Sequence, residues 1–199
     1  MSAGGNIAHR DQTGIPTLLS GRVLDLGGKP IAGAVLDVWQ AQTNGLYDSQ
    51  DQNPDQLHMR GKFTSDAEGR YLIRTVRPVN YPIPSDGPVG AMLKATGRHP
   101  WRPAHIHFVV TAAGYDAVTT HIFDRRDPYL DSDAVFAVKD SLVCDFTKHN
   151  TPTAEAHELG ISGPIYTAEF DFVLKPAGAV PQASVLDAQR RLAALGARA

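Results

Sequence analysis

Apolar positions along this chain come in short runs that mostly alternate with polar ones. In AVLDVWQA (34–41), Val35, Asp37 and Trp39 fall on one face and Leu36, Val38 and Gln40 on the other, the period-two pattern of a strand. GRVLDL (21–26) lies before it across the turn cluster GGKP (27–30), and the two segments predict a hairpin. KFTSDAEGRYLIRTV (62–76) predicts a strand, a turn at 66–69 and a strand. AHIHFVVTA (104–112) and AVTTHIFD (117–124) predict two more, and YTAEFDFVLKP (166–176) a final one. Two segments change period. SDAVFAVKDSLVCDF (132–146) sets Val135, Val138 and Leu142 at near-helical spacing behind Ser132 or Asp133 as a cap, predicting a short helix. SVLDAQRRLAAL (184–195) lines up Val185, Ala188, Leu192 and Leu195, predicting an amphipathic C-terminal helix.

The connections carry their own signal. TNGLYDSQDQNPDQLHMRGK (43–62) is a long polar loop, and long ordered loops in compact domains are often functional. RPVNYPIPSDGPVG (77–90), with four prolines and two glycines, predicts a rigid loop and not a helix. Many short strands between Gly/Pro turns indicate a mainly β domain, a sandwich or a barrel. The expected organisation is an N-terminal arm at 1–20, one β domain at 21–176, and a tail with the amphipathic helix at 177–199.

Composition narrows the function classes. The 199 residues are 42% hydrophobic, enough to bury a core, and 20% charged with a formal net charge of -2. A nucleic-acid partner is not expected, because it would call for a basic bias or stripe. Cys144 is the only cysteine, so no intrachain disulfide can form and a reducing compartment fits. Its setting, SLVCDF, suits a buried small hydrophobe rather than a nucleophile. The opening MSAGGNIAHRDQTG lacks a signal-peptide layout, and no run is long enough to span a membrane. The expected location is the cytoplasm.

Candidate chemistry starts at HIH. On a strand, His105 and His107 project from one face while Ile106 points to the other. The pair fits a metal site, and equally fits two half-exposed strand histidines. Arg102, three residues earlier in GRHPWRPAHIHF, would suit an anionic substrate or a charge developing in a transition state. HFVVTAAG follows without an acid before Asp116, which argues against a cupin-type site completed by a carboxylate; a cysteine-based zinc site is excluded by the single thiol. Tyrosine remains as the anionic ligand type. Tyr47 and Tyr81 lie in the two long loops, whereas Tyr71 sits within a strand and reads as structural. A phenol of pKa roughly 10 ionises at neutral pH only beside a strongly acidic cation such as iron(III). Two phenolates and a hydroxide would neutralise its charge; which of the six tyrosines bind stays open on this reading.

The motifs GRVLDLGGKPIAGAVLDVWQAQTNGLYDSQ, RGKFTSDAEGRYLIRTVRPVNYPIPSDGPVG, GRHPWRPAHIHFVV and TTHIFDRRDPYLDSDAVFAVKDSL resemble, in unbroken order over roughly 20–175, the intradiol ring-cleaving dioxygenases, most closely the hydroxyquinol and catechol 1,2-dioxygenase branch. The resemblance implies a β-sandwich and non-haem Fe(III) held by Tyr47, Tyr81, His105 and His107. It implies that Tyr81 is displaced when substrate arrives and that Arg102 lies over the substrate ring. It places His121 where many catechol enzymes have Gln. Leu46, Asp48, Ile83 and Phe123 flank these positions and are candidates for pocket lining. The implied reaction takes a catechol-type diol and O2 to a muconate-type dicarboxylate.

Such enzymes usually carry an N-terminal helical domain that walls the pocket and helps form a dimer. Only about 20 residues precede the sandwich here, so a more open pocket is expected and substrate identity does not transfer. A homo-oligomer would need another contact. The C-terminal helix is one candidate, although packing on its own core fits it equally. Two other readings stand beside this one: a non-catalytic transthyretin-like binding module, and a different metalloenzyme, a zinc hydrolase or cupin-like oxygenase, built on His-x-His. His58 and His99 are expected at the surface or beside the site, and Trp39 and Trp101 in packing.

Overall fold

A computed structural model describes residues 3–8, 13–50 and 58–178. The strands are β1 (Gly5–Asn6), β2 (Pro16–Asp25), β3 (Val35–Trp39), β4 (Arg60–Thr64), β5 (Arg70–Val76) and β6 (Tyr81–Pro82). After helix α1 (Pro88–Ala95) come β7 (Trp101–Arg102), β8 (His105–Thr111), β9 (Val118–Asp124), β10 (Val143–Cys144) and β11 (Thr147–His149). Helix α2 (Ala154–Glu158), β12 (Ile165–Glu169) and β13 (Phe172–Leu174) complete the described chain. The protein is mainly β. Among the described residues no helix is long and apolar enough to cross a membrane.

Two sheets face each other. One runs β1-β5-β2-β12-β11, with β13 also on β2; the other runs β10-β9-β8-β3-β4. Alternation decides what each sheet buries. Leu36 and Val38 of β3, and Ile106, Phe108 and Val110 of β8, point inward and meet Leu19, Val23, Ile73, Phe172 and Leu174 from the first sheet. All of these are at most 3% exposed, and burying apolar surface of this kind is the main force holding the layers together. Asp37, Trp39, His105, His107 and His121 lie on strands of the second sheet, at positions that alternate with its buried apolar ones.

Four expectations need correction. β2 and β3 do not form a hairpin. The turn is real, with Gly28 N–H bonding to Asp25 O and Leu24 bridging Pro30, but it folds β2 only onto the next few residues. The chain then crosses to the other sheet, where β3 pairs with β4 and β8. The helix expected over 132–146 is absent. Asp133 instead accepts the N–H groups of Val135 and Ala137, Phe136 takes a left-handed φ of 56°, and only single turns form at Leu130–Ser132 and Asp140–Leu142. A side chain that captures nearby backbone donors competes with the helix in this way. Conversely, the end of the proline loop does enter a helix, α1, with Pro88 in its first turn, where a missing N–H costs nothing. Lastly, β2 begins at Pro16 and β1 pairs with β5, so Gly5–Asn6 and the stretch from Pro16 on, within the expected arm, belong to the sheet. The expected C-terminal helix at 184–195 falls outside the described residues.

Candidate metal centre

Strand β8 presents His105 and His107 on one side, and their Nε2 atoms lie 3.1 Å apart. The His105 Nδ1 sits 2.6 Å from the Pro103 carbonyl oxygen, so the ring donates Nδ1–H there and keeps a lone pair on Nε2. A carbonyl that fixes the tautomer in this way is the usual outer support of a metal-binding imidazole. Burial, then the Arg102 charge, pushes the His105 pKa down to about 3. Burial, then His105, His121 and nearby arginines, takes His107 down to about 2. Both rings are therefore neutral ligands at ordinary pH. His121, the direct partner of His107 across β8 and β9, is shifted down as well, first by burial.

Two phenols reach the same point from elsewhere. Tyr47 comes from the loop after β3, where Leu46 N–H bonds to Asn44 Oδ1 and Tyr47 N–H to Gln50 Oε1. Tyr81 comes from β6, a two-residue ribbon in which it pairs with Arg102 of β7. The Tyr47 hydroxyl is 2.7 Å from that of Tyr81 and 2.8 Å from His107 Nε2, while the Tyr81 hydroxyl is 3.4 Å from His105 Nε2. Burial, reinforced by the neighbouring Tyr81, holds the Tyr47 pKa well above the ordinary phenol value; the Arg102 and Arg60 charges pull against this.

These separations test whether a metal fits. Donors bonded to one ion at about 2.0–2.2 Å stand about 3 Å from their neighbours. The four atoms, at 2.7 to 3.4 Å, surround one point at that spacing. With the Tyr47 pKa raised, its proton leaves only for a strong cation, so the donor set favours a hard, highly charged ion. His105, His107 and His121 also form a cluster whose ligand atoms all lie within 4.8 Å of one another.

Arg102 borders the donors. It is buried, and its Nη1 lies 3.1 Å from His105 Nε2 and 3.4 Å from the Tyr81 hydroxyl. Its Nε donates to Asp133 Oδ1 at 3.2 Å, and its buried Nη2 has no hydrogen-bond partner among the described residues. Of the other expected residues, Phe123 is buried with its ring 5.4 Å from that of His105, Ile83 is half-buried, and Leu46 is exposed. The Asp48 carboxylate is taken up by Arg60 Nε at 2.8 Å. Tyr71 stands apart, its hydroxyl donating to Phe170 O. Cys144 is buried, as its apolar setting suggested, and burial pushes its pKa up to about 11. His99 meets Ser132 and Tyr129, and Trp101 stacks on Tyr129, while His58 is buried rather than on the surface.

Three residues at the site escaped the sequence reading. Asp133, which the sequence offers only as a helix cap, holds Arg102. Trp39, a packing residue by sequence, sets its ring parallel to that of His107, 4.8 Å away. Arg60 reaches both Trp39 and Asp48. For Trp39 the signal was present in principle: alternation from Trp39 through β3 sets it on the face that pairing gives to His107.

A β-sandwich with two imidazoles and two phenols about one point defines a candidate non-haem metalloprotein. Comparison with known proteins gives that class a family. A family model described as "Dioxygenase" matches residues 5–176. The chain is 49% identical over 177 residues to a hydroxyquinol 1,2-dioxygenase of Rhizobium sp. (strain MTP-10005), covering 87% of this chain and 59% of the relative. It is 47% identical over 163 residues to a 6-chlorohydroxyquinol 1,2-dioxygenase of Cupriavidus pinatubonensis, covering 82% and 55%. The solved structure of hydroxyquinol 1,2-dioxygenase from Pseudomonas putida DLL-E4 superposes with a TM-score of 0.82 at 47% identity, covering 88% of this chain and 61% of that one. Catechol 1,2-dioxygenase from Pseudomonas arvilla C-1 gives 0.83 at 34%, covering 89% and 58%. The chain belongs to the intradiol ring-cleavage dioxygenase family, in its hydroxyquinol and catechol 1,2-dioxygenase branch. It spans somewhat under two thirds of the length of these relatives.

Proposed function

We propose that this protein is an Fe(III)-dependent intradiol dioxygenase. It opens the ring of a catechol-type diol, hydroxyquinol, catechol or a substituted catechol, between the two hydroxyl-bearing carbons, using O2. The observation that carries the reading is the convergence of Tyr47, Tyr81, His105 and His107 on one point. The hydroxyquinol and catechol 1,2-dioxygenase names of the relatives supply the substrate class. Iron(III), when bound, would supply a Lewis acid that the two substrate oxygens can chelate and that would open the ring to reaction with O2.

The protein's own groups have distinct parts in this scheme. His105 and His107 are neutral and rooted in the sheet, so they hold the ion without exchanging protons. Tyr47 and Tyr81 bind as phenolates and supply negative charge. Tyr81, on its two-residue ribbon, is the phenolate that would yield to the diol, and its oxygen would take one of the two substrate protons, the other passing to hydroxide from solvent. Arg102 sets its Nη1 3.4 Å from the Tyr81 hydroxyl, and a fixed guanidinium there stabilises negative charge spreading into the ring. His121, at the far side of His107, is a polar neighbour for a further ring substituent.

Oxygen uptake by the iron-loaded protein with a panel of catechols, followed by product identification, tests the reading. Uptake with release of a muconate-type diacid is expected. Iron-loaded protein that consumes no O2 with any of the diols contradicts it. A transthyretin-like binding module has no use for this donor set and should purify without iron.

A further inference from the structure

One row of residues crosses the outer face of the second sheet. Pairing sets Arg60 of β4 opposite Trp39 of β3, Trp39 opposite His107 of β8, and His107 opposite His121 of β9. The side chains continue what the pairing begins. The Trp39 ring stacks on the His107 ring at 4.8 Å with 4° between their planes. The Arg60 guanidinium covers the other partner, 5.6 Å from the Trp39 ring centroid. Its Nε also donates to Asp48 Oδ2 at 2.8 Å, and Asp48 is the residue after Tyr47. Tyr47 closes the circuit, its hydroxyl 2.8 Å from His107 Nε2.

This circuit ties the Tyr47 loop to the strands that carry His107. His107 is oriented by a sheet. The backbone beside Tyr47 is held by local bonds, to Asn44 and Gln50. Arg60 contacts both the residue beside Tyr47 and the ring stacked on His107. A planar guanidinium suits that double task, since it can lie against an aromatic face while its edge meets a carboxylate; a lysine ammonium cannot do both.

We infer that Arg60 is a positioning residue of the metal centre, which fixes Tyr47 against His107 through Asp48 on one side and Trp39 on the other. The inference rests on the proposed iron site. It is specific to Arg60 rather than to any cation on β4. Lys62, two residues on and on the same face, pairs with Asp37.

The test compares Arg60→Met, the milder Arg60→Gln, Arg60→Lys and, as a control, Lys62→Met, all loaded with iron(III). Three quantities are read: the tyrosinate-to-iron visible band, the rate of iron loss to a chelator, and the melting temperature. Supporting groups around metal ligands typically contribute roughly 10- to 100-fold in affinity or activity. Arg60→Met and Arg60→Gln are expected to lose iron about 10-fold faster with a shifted or weakened band, at nearly parental melting temperature. Arg60→Lys should recover little of this, and Asp48→Asn should reproduce it in smaller measure. Lys62→Met should match the parent. The role is overturned if Arg60→Met and Arg60→Gln keep the parental band and iron-release rate, or if Arg60→Lys restores both fully. The two failures are distinguishable. A parent that holds iron without the visible band sinks the tyrosinate reading itself; a coloured parent matched by its Arg60 variants sinks only the positioning role.

Discussion

His105 and His107 sit within a seven-residue strand paired on both sides, while Tyr47 and Tyr81 reach the same point from a loop and a two-residue ribbon. The contrast separates a fixed half of the site from a yielding half. Moving either imidazole means disturbing β8 and, behind it, Ile106 and Phe108, which are fully buried. Moving Tyr81 disturbs the short β6–β7 pairing with Arg102 and Trp101 and the contacts of its own ring and hydroxyl, but no long strand. A site that must keep its metal while admitting a chelating substrate needs both halves, and the phenols are where the structure can give way.

Substitutions can break this comparison in order of effect. His107→Ala removes a rooted ligand and should weaken iron binding at least about 100-fold, measured by competition with a chelator. Arg102→Ala should keep iron and colour but slow turnover about 100-fold, the usual scale for losing one donor aimed at developing charge. A variant that turns over like the parent removes Arg102 from the reaction. Tyr81→Phe, on the yielding half, should retain most of the iron yet lose turnover by more than it loses iron. Equal losses would mean Tyr81 is as fixed as the histidines.

The fixed half also carries a pH signature in the metal-free protein. In the unfolded chain the imidazoles take up protons near pH 6.5, whereas in the fold His105 resists until about pH 3 and His107 until about 2. Between these limits the unfolded state binds more protons, so stability is greatest above about pH 6.5 and declines as the pH falls towards 3. The melting temperature of the metal-free parent should fall over that window, and a His105→Leu/His107→Leu double variant should fall less. Identical slopes would contradict the neutral-imidazole account. The smallest effect belongs to Tyr71→Phe, which should cost about 1 kcal/mol for the lost bond to Phe170 O and leave iron and colour intact.

The two halves also differed in how far the sequence revealed them. His105 and His107 were legible because a strand's period of two is local: alternation alone puts them on one side. Tyr47 and Tyr81 were not, since nothing in a loop's composition says where its tip arrives, and only the family resemblance chose them from the six tyrosines. The same limit explains the β2–β3 error. Turn residues 25–30 show that the chain reverses, not that it changes sheet. It also explains Asp133, whose carboxylate serves Val135, Ala137 and Arg102 together, a set no spacing announces. The row Arg60–Trp39–His107–His121 needed the pairing register of four strands.

Binding of the metal by two phenolates is the centre of the proposed chemistry. The visible spectrum of the protein reconstituted with iron(III), recorded beside Tyr47→Phe, examines that directly. A red to burgundy parent whose band weakens or shifts in Tyr47→Phe is the predicted result; a parent that holds iron and turns over catechols while remaining colourless would contradict it.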